Sequence, residues 1–261
     1  MDVQANGIRV SVDTDGSGPA VVLIHGTSED RTLWDDQIDD LARDYKVIAY
    51  DVRGHGRSEK PHTDYSLDLL VEDLRALLEA LGETQATLVG FSLGGMISQA
   101  FTLAHPEMVK AMVLVDTVAR FPNGGAMFAE RSKTAELQGM APLVDGMLSR
   151  WFTPEYIAKN PERMASFRNK VLANDPIAFA ATCRVAVGFD LLDRLAEIKA
   201  PTLLLYGEHD LATPVALGKE IQSRIKGAEL KIIEGAAHTG PVERPETFNR
   251  LLLEFLDKVH A

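Results

Sequence analysis

Short apolar runs separated by longer helical stretches set the rhythm of this chain. Residues 20–25 (AVVLIH), 46–51 (KVIAYD), 86–91 (ATLVGF), 110–116 (KAMVLVD), 201–207 (PTLLLYG) and 229–235 (ELKIIEG) are nearly continuous in apolar side chains. Runs of that length predict strands covered on both faces, as in a parallel sheet. Residues 8–13 (IRVSVD) instead alternate apolar and polar and follow Asn6-Gly7, a turn pair. They predict an exposed antiparallel strand. Between the runs, apolar residues at helical spacing (Leu69, Leu70, Leu74, Leu77, Leu78, Leu81) predict helices over about 32–43, 67–81, 93–105, 214–225 and 243–258. Strand and helix in alternation predict a parallel sheet with right-handed crossovers.

One stretch breaks the rhythm. Residues 120–195 hold no convincing strand and predict helices around 130–150, 155–173 and 176–196. Such a span is too long for a loop. Because the strand pattern resumes at Pro201, it is read as a helical lid. Residues 1–119 and 196–261 then form the core and 120–195 the lid, in a single domain of 261 residues.

Composition changes this picture little. Hydrophobic residues make up 46% and charged residues 25%, as in ordinary globular chains. The net charge of −11 argues against nucleic acid or an anionic membrane as partner. The single cysteine, Cys183, allows no intrachain disulfide and no cysteine metal cluster. The N-terminus lacks the apolar core of a secretion signal, and no run approaches the ~20 residues of a membrane span. A cytoplasmic location is expected, and homo-oligomer formation is left open.

Candidate chemistry sits at the ends of the apolar runs. Gly90-Phe91-Ser92-Leu93-Gly94 is a G-x-S-x-G sequence between a predicted strand and a predicted helix. A nucleophilic serine on a strained turn needs small residues two before and two after it. A plain glycine-rich turn with a capping serine is the alternative. Asp210 and His238 end the next two strand patterns, in the order serine, acid, histidine. His238 is the expected base and Asp210 the residue that orients it. Asp116, which also ends a strand, is the alternative acid. The backbone N–H groups of Leu93 and Thr27 are the expected oxyanion donors, each worth roughly 3–4 kcal/mol in the transition state. His25, Gly26, Arg53 and His55 are expected to shape loops. No phosphate-binding glycine loop, dinucleotide fingerprint or metal-ligand spacing is present, so no cofactor and no metal are expected.

The segments LIHGTSEDRTLW, YDVRGHGRSEKP, LVGFSLGGMISQ, PTLLLYGEHDLATP and GAAHTGPVERPETF resemble, in order, the landmarks of the α/β-hydrolase superfamily. The resemblance spans essentially the whole chain. It implies an α/β fold: a mostly parallel eight-stranded sheet flanked by helices, with the lid inserted after the sixth strand. The lid pieces RWFTPEYI and AATCRVAV, with WDDQIDDLARDYKVIAYDVRGHGRS and HDLATPVALGKEI, look most like the 3-oxoadipate enol-lactonases. His25-Gly26-Thr27 departs from the Ser-Asn-Ser type of sequence common there. The resemblance implies an acyl-enzyme mechanism on a small ester or lactone, such as 3-oxoadipate enol-lactone. A carboxylate on such a substrate calls for a buried cation. Arg120, Arg150 and Arg184 are the lid candidates, the alternative for each being a solvated surface charge. Trp151 and Phe152 are expected to line the lid's inner face or to pack its core. Other readings are hydrolysis of the C–C bond of ring-cleavage diketones, a perhydrolase side activity, and a ligand-binding receptor on the same scaffold.

Overall fold

The computed structural model describes residues 1–261. Eight strands form one sheet: β1 (Asp2–Ala5), β2 (Ile8–Asp15), β3 (Ala20–Ile24), β4 (Lys46–Tyr50), β5 (Ala86–Phe91), β6 (Val109–Val115), β7 (Thr202–Gly207) and β8 (Glu229–Ile233). Their order is β1-β2-β4-β3-β5-β6-β7-β8. β1 and β2 are antiparallel and join across Asn6-Gly7, whose φ angles of 45° and 75° suit a tight hairpin. β2 also pairs antiparallel with β4, and every later pairing is parallel.

Helices follow in chain order: α1 (Asp35–Leu41), α2 (Leu67–Ala80) and α3 (Leu93–Ala104) before β6. Five more lie between β6 and β7: α4 (Ala126–Gln138), α5 (Val144–Trp151), α6 (Pro154–Lys159), α7 (Pro161–Leu172) and α8 (Pro176–Ala186). The chain closes with α9 (Val215–Arg224), α10 (Gly240–Glu243) and α11 (Pro245–His260). The strand side chains explain the layering. Val21 and Leu23 of β3 pack with Trp34, Phe248 and Leu252 on one face. Val22 and Ile24 pack with Leu74, Ile97 and Phe101 on the other. A strand buried on both faces has no position at which water tolerates a polar residue, which is why these runs read as continuous.

Two expectations are corrected, and one strand is added to the runs read from the sequence. β1 carries no apolar run, because an outer hairpin strand covers the core with only one face, and the sequence pattern passed over it. β8 is not covered on both faces: it is the edge strand, and its Ile232 is exposed. The helices expected at 130–150 and 176–196 are each interrupted, by Gly139 and Gly188, both at φ 75°. That conformation favours glycine and stops a right-handed helix. The ends of the insertion are tied together by Leu191 N–H donating to the Ala119 carbonyl (2.8 Å) and Gly188 N–H to that of Gly124 (3.0 Å).

Candidate active site

Ser92 sits between β5 and α3 at φ 51°, ψ −111°, a conformation that costs a non-glycine residue roughly 1–3 kcal/mol. The neighbours enforce it. A side chain at Gly94 would run into the Ile24 carbonyl, and one at Gly90 into the Gly94 carbonyl. The Ser92 N–H donates to Val115 O (2.9 Å), and the Thr117 hydroxyl donates to Ser92 O (2.7 Å). The turn is thus held from both ends by β6 and the residues after it.

His238, in the loop after β8, is 3% exposed, and its Nδ1 lies 2.8 Å from Asp210 Oδ2. Asp210, in the loop after β7, accepts from the N–H groups of Ala212 (2.7 Å) and Thr213 (2.9 Å) on Oδ1 and from the Thr213 hydroxyl (2.5 Å) on Oδ2. Burial pushes the Asp210 carboxyl up, but the attraction of His238 and the donors on both oxygens outweigh it and hold the group below its usual range. The other face of the imidazole meets the Phe91 ring, centroids 4.8 Å apart. The His238 loop is braced by Glu243. That residue accepts from Ala237 N–H (2.8 Å) on one oxygen and from the Thr153 N–H (3.0 Å) and hydroxyl (2.7 Å) on the other.

Ser92, His238 and Thr27 line one cavity of about 30 Å³, together with Phe91, Phe121, Met127, Phe128, Arg131, Met147, Trp151, Ala212 and Thr213. Leu93 begins α3, so its N–H has no intrahelical acceptor. The Thr27 N–H is likewise without a backbone or side-chain acceptor. Gly26 allows the Thr27 loop to approach: a side chain there would press on the Phe91 ring and on Ser92. His25 is fully buried, with Nδ1 2.8 Å from Gly26 O and Nε2 accepting from Val52 N–H (2.9 Å). Burial lowers its pKa to about 4 and that of His55 to about 3, so both are neutral loop braces. Arg53 makes a two-pronged pair with Asp73, 2.6 Å on each arm.

Asp116 follows β6 at φ 43° and is fully buried. Its Oδ1 accepts from Gly207 N–H (2.8 Å), and its Oδ2 has no partner. Polar atoms of Asp116, Asp210 and His238 lie within 4.8 Å of one another. Burial first, and the Asp210 charge second, push Asp116 well above the usual carboxylate range.

The lid expectations divide. Trp151 lines the cavity. Phe152 does not: the backbone turns extended there, at φ −123° and ψ 148°. Its ring stacks on Tyr156 (5.4 Å) and meets Phe167 (4.8 Å) in the packing of the insertion. None of the three expected arginines reaches the cavity. Arg120 pairs with Glu220 (2.8 Å), Arg184 with Glu136 (2.5 Å) and Asp64 (3.5 Å), and Arg150 is exposed with its guanidinium near the Met127 sulfur (3.7 Å). All lie at the surface because solvated carboxylates or water offset their charge at no desolvation cost.

The cation that does line the cavity is Arg131, which sequence reasoning missed. It has no carboxylate partner, and its guanidinium lies 5.5 Å from the centre of the Phe128 ring. Burial lowers its pKa, with Arg150 adding to the effect and Cys183 opposing it. The available signal was the helical spacing of Met127, Phe128 and Arg131 on one face of α4. Thr213 carried a subtler signal, a hydroxyl three residues after the acid.

The alpha/beta hydrolase fold family matches residues 19–245. The 3-oxoadipate enol-lactonase 2 of Acinetobacter baylyi is 32% identical over 231 residues, which are 88% of this chain and 86% of that protein. The enol-lactonase of Burkholderia xenovorans superposes with a TM-score of 0.95 at 30% identity, covering 98% of this chain and 100% of that one. A thermophilic esterase of Thermogutta terrifontis superposes with a TM-score of 0.94 at 26% identity, covering 100% and 99%.

Proposed function

The chain belongs to the α/β-hydrolase-fold family, and on that premise we propose that it is a serine hydrolase cleaving small carboxylic esters or lactones through an acyl-enzyme. One observation carries this reading. Ser92, on a turn that only its glycine neighbours permit, shares a cavity with an imidazole whose Nδ1 is held by a buried carboxylate.

A serine hydroxyl is a weak nucleophile until a base takes its proton. In this reading His238, which lines the same cavity, takes it, while Asp210 fixes Nδ1 as the protonated nitrogen and stabilises the imidazolium that results. In this reading the N–H groups of Leu93 and Thr27 receive the tetrahedral oxyanion. His238 returns the proton to the leaving oxygen and then activates water on the acyl-enzyme. The helices α4–α8 act as the lid, and their inner wall sets what fits.

Arg131 points to an anionic group on the substrate. A guanidinium left unpaired among phenylalanine, methionine and tryptophan side chains is destabilised, and a carboxylate satisfies it with two parallel hydrogen bonds. The enol-lactonase relatives make 3-oxoadipate enol-lactone, which carries such a carboxylate, the first substrate to try.

The test is a turnover panel on purified protein: the enol-lactone, aryl esters of graded acyl length and a ring-cleavage diketone. The largest kcat/KM is expected on the lactone or a short ester, and Ser92→Ala is expected to remove at least a factor of about 10⁴. A diketone turned over best, or an active Ser92→Ala, overturns the reading. Arg131→Met is expected to raise KM about tenfold or more for a carboxylate-bearing ester while leaving its neutral analogue within about twofold.

A further inference from the structure

Asp116 is the buried titratable group that the proposed mechanism leaves unused. It is fully buried at the end of β6, with polar atoms of Asp210 and His238 within 4.8 Å. The two carboxyls are treated very differently by their surroundings. Asp210 accepts two backbone N–H groups, one hydroxyl and the imidazole. Asp116 receives a single donor, Gly207 N–H. No arginine or lysine pairs with it. The groups facing it are Asp210 from the β7 loop, Glu243 from α10, Tyr206 from β7, and His238. Tyr206 donates its hydroxyl proton to Thr117 O (2.6 Å), and on the side of Gly240, where an added side chain would come into ordinary contact with Oδ2, no donor meets that oxygen.

Its orphaned Oδ2 therefore has a simple explanation. Two ionised carboxylates cannot bond to each other, and a buried pair at this range keeps one proton between them. The better-supplied member, Asp210, is the one that stays ionised.

We propose that Asp116 is a positioning residue that retains its proton and donates it from Oδ2 to the Asp210 carboxylate, so that the acid behind His238 is a two-carboxyl unit bearing one negative charge. The donated bond holds the Asp210 carboxylate in the plane that meets Nδ1. It also draws off part of the charge that would otherwise tighten its grip on the imidazolium. The inference rests on the triad reading above and adds a fourth member to it.

Three measurements test it. Asp116→Asn keeps an acceptor for Gly207 N–H and puts an N–H donor where the proposal puts O–H. The acidic limb of its pH profile should then stay in place. If Asp116 were ionised, the same change would remove a negative charge beside the imidazole and move that limb to lower pH, which overturns the proposal. Asp116→Leu removes the donor. Asp210 then holds the imidazolium more firmly, so the limb should move to higher pH and kcat fall about tenfold with KM little changed. An unmoved limb in a folded Leu variant also overturns it.

Should the Leu variant not fold, infrared difference spectra of wild type against Asp116→Asn at neutral pH decide the matter. A protonated-carboxyl C=O band lost on substitution is expected, and loss of carboxylate bands instead overturns the proposal. This readout is independent of turnover, so it stands apart from the fate of the hydrolase reading, which Ser92→Ala tests. Asp116→Asn inactive beside an active Asp210→Asn would reverse the two roles.

Discussion

Thr213 shows how much of the candidate site depends on residues outside the proposed triad. Its hydroxyl gives a 2.5 Å hydrogen bond to Asp210 Oδ2 and lies 3.2 Å from His238 Nδ1, while its N–H serves Oδ1. Hydrogen bonds to a charged acceptor are worth about 1.5–3 kcal/mol, and leaving the acceptor short costs most of that. Thr213→Ala is therefore expected to lower kcat/KM at least about tenfold, with Thr213→Ser recovering most of it. Steady-state kinetics of both variants check this, and equal losses would mean that the methyl group matters instead. Ser92, Asp210 and His238 were legible in sequence because each ends an apolar run, a position that the parallel sheet brings to one rim. Arg131 was not legible as a cavity residue. A cation on a lid helix resembles every solvated arginine until the fold shows that no carboxylate reaches it.

At the scale of elements, the insertion is strapped to both loops that build the site. On the histidine side, Trp151 O accepts from the Thr239 N–H (3.1 Å) and hydroxyl (2.8 Å). On the side of the Thr27 loop, Asn174 donates to Ser28 O (3.1 Å), and Lys170 of α7 reaches Glu29 (3.4 Å), Asp30 (3.2 Å) and Thr32 (2.9 Å). Glu29 is buried, with one oxygen unpartnered. Burial raises its pKa to about 7, with Asp30 adding to the rise and Lys170 and His238 opposing it. The folded protein then binds more protons at Glu29 than the unfolded chain between the model-peptide value of 4.5 and about 7. This contribution to stability is complete below 4.5 and is lost as the pH rises through about 7. Glu29→Gln should remove that slope and leave the variant more stable than wild type at pH above about 8, by on the order of 1–3 kcal/mol. Urea unfolding at acid and alkaline pH measures it, and parallel pH dependence in the two proteins would exclude Glu29 as the source. The straps were beyond sequence reasoning, since they join residues 88 to 146 positions apart (Trp151 to Thr239, Lys170 to Glu29, Asn174 to Ser28). The helix breaks were not beyond it, because Gly139 and Gly188 stand where the apolar spacing lapses.

The whole molecule sets two conditions on any substrate. The cavity beside Ser92 and His238 is small, about 30 Å³, enough for a water molecule or two, which favours short acyl groups. The second condition is electrostatic. Against 27 lysines and arginines stand 38 acidic residues, a net charge of −11. An anion at about 18 Å from the mean position of that charge, the radius expected for a chain of this length, meets a repulsion of roughly 2–3 kcal/mol in unscreened water. In the proposed reading Arg131 attracts the same anion at contact distance from a partly buried wall. Salt weakens the two unequally: the Debye length falls from about 30 Å at 0.01 M to about 10 Å at 0.1 M, which cuts the long-range field while sparing the buried contact. For a carboxylate-bearing ester, KM should therefore fall several-fold between those ionic strengths, by about the factor that 1 kcal/mol allows. Its neutral analogue should show no change. In Arg131→Met the anionic substrate should keep the same salt trend from a higher starting KM, because the field of the molecule is intact and only the contact is gone. A KM that rises with salt in wild type would place the dominant attraction at the surface, and Arg131 would lose its claim to the substrate's charge.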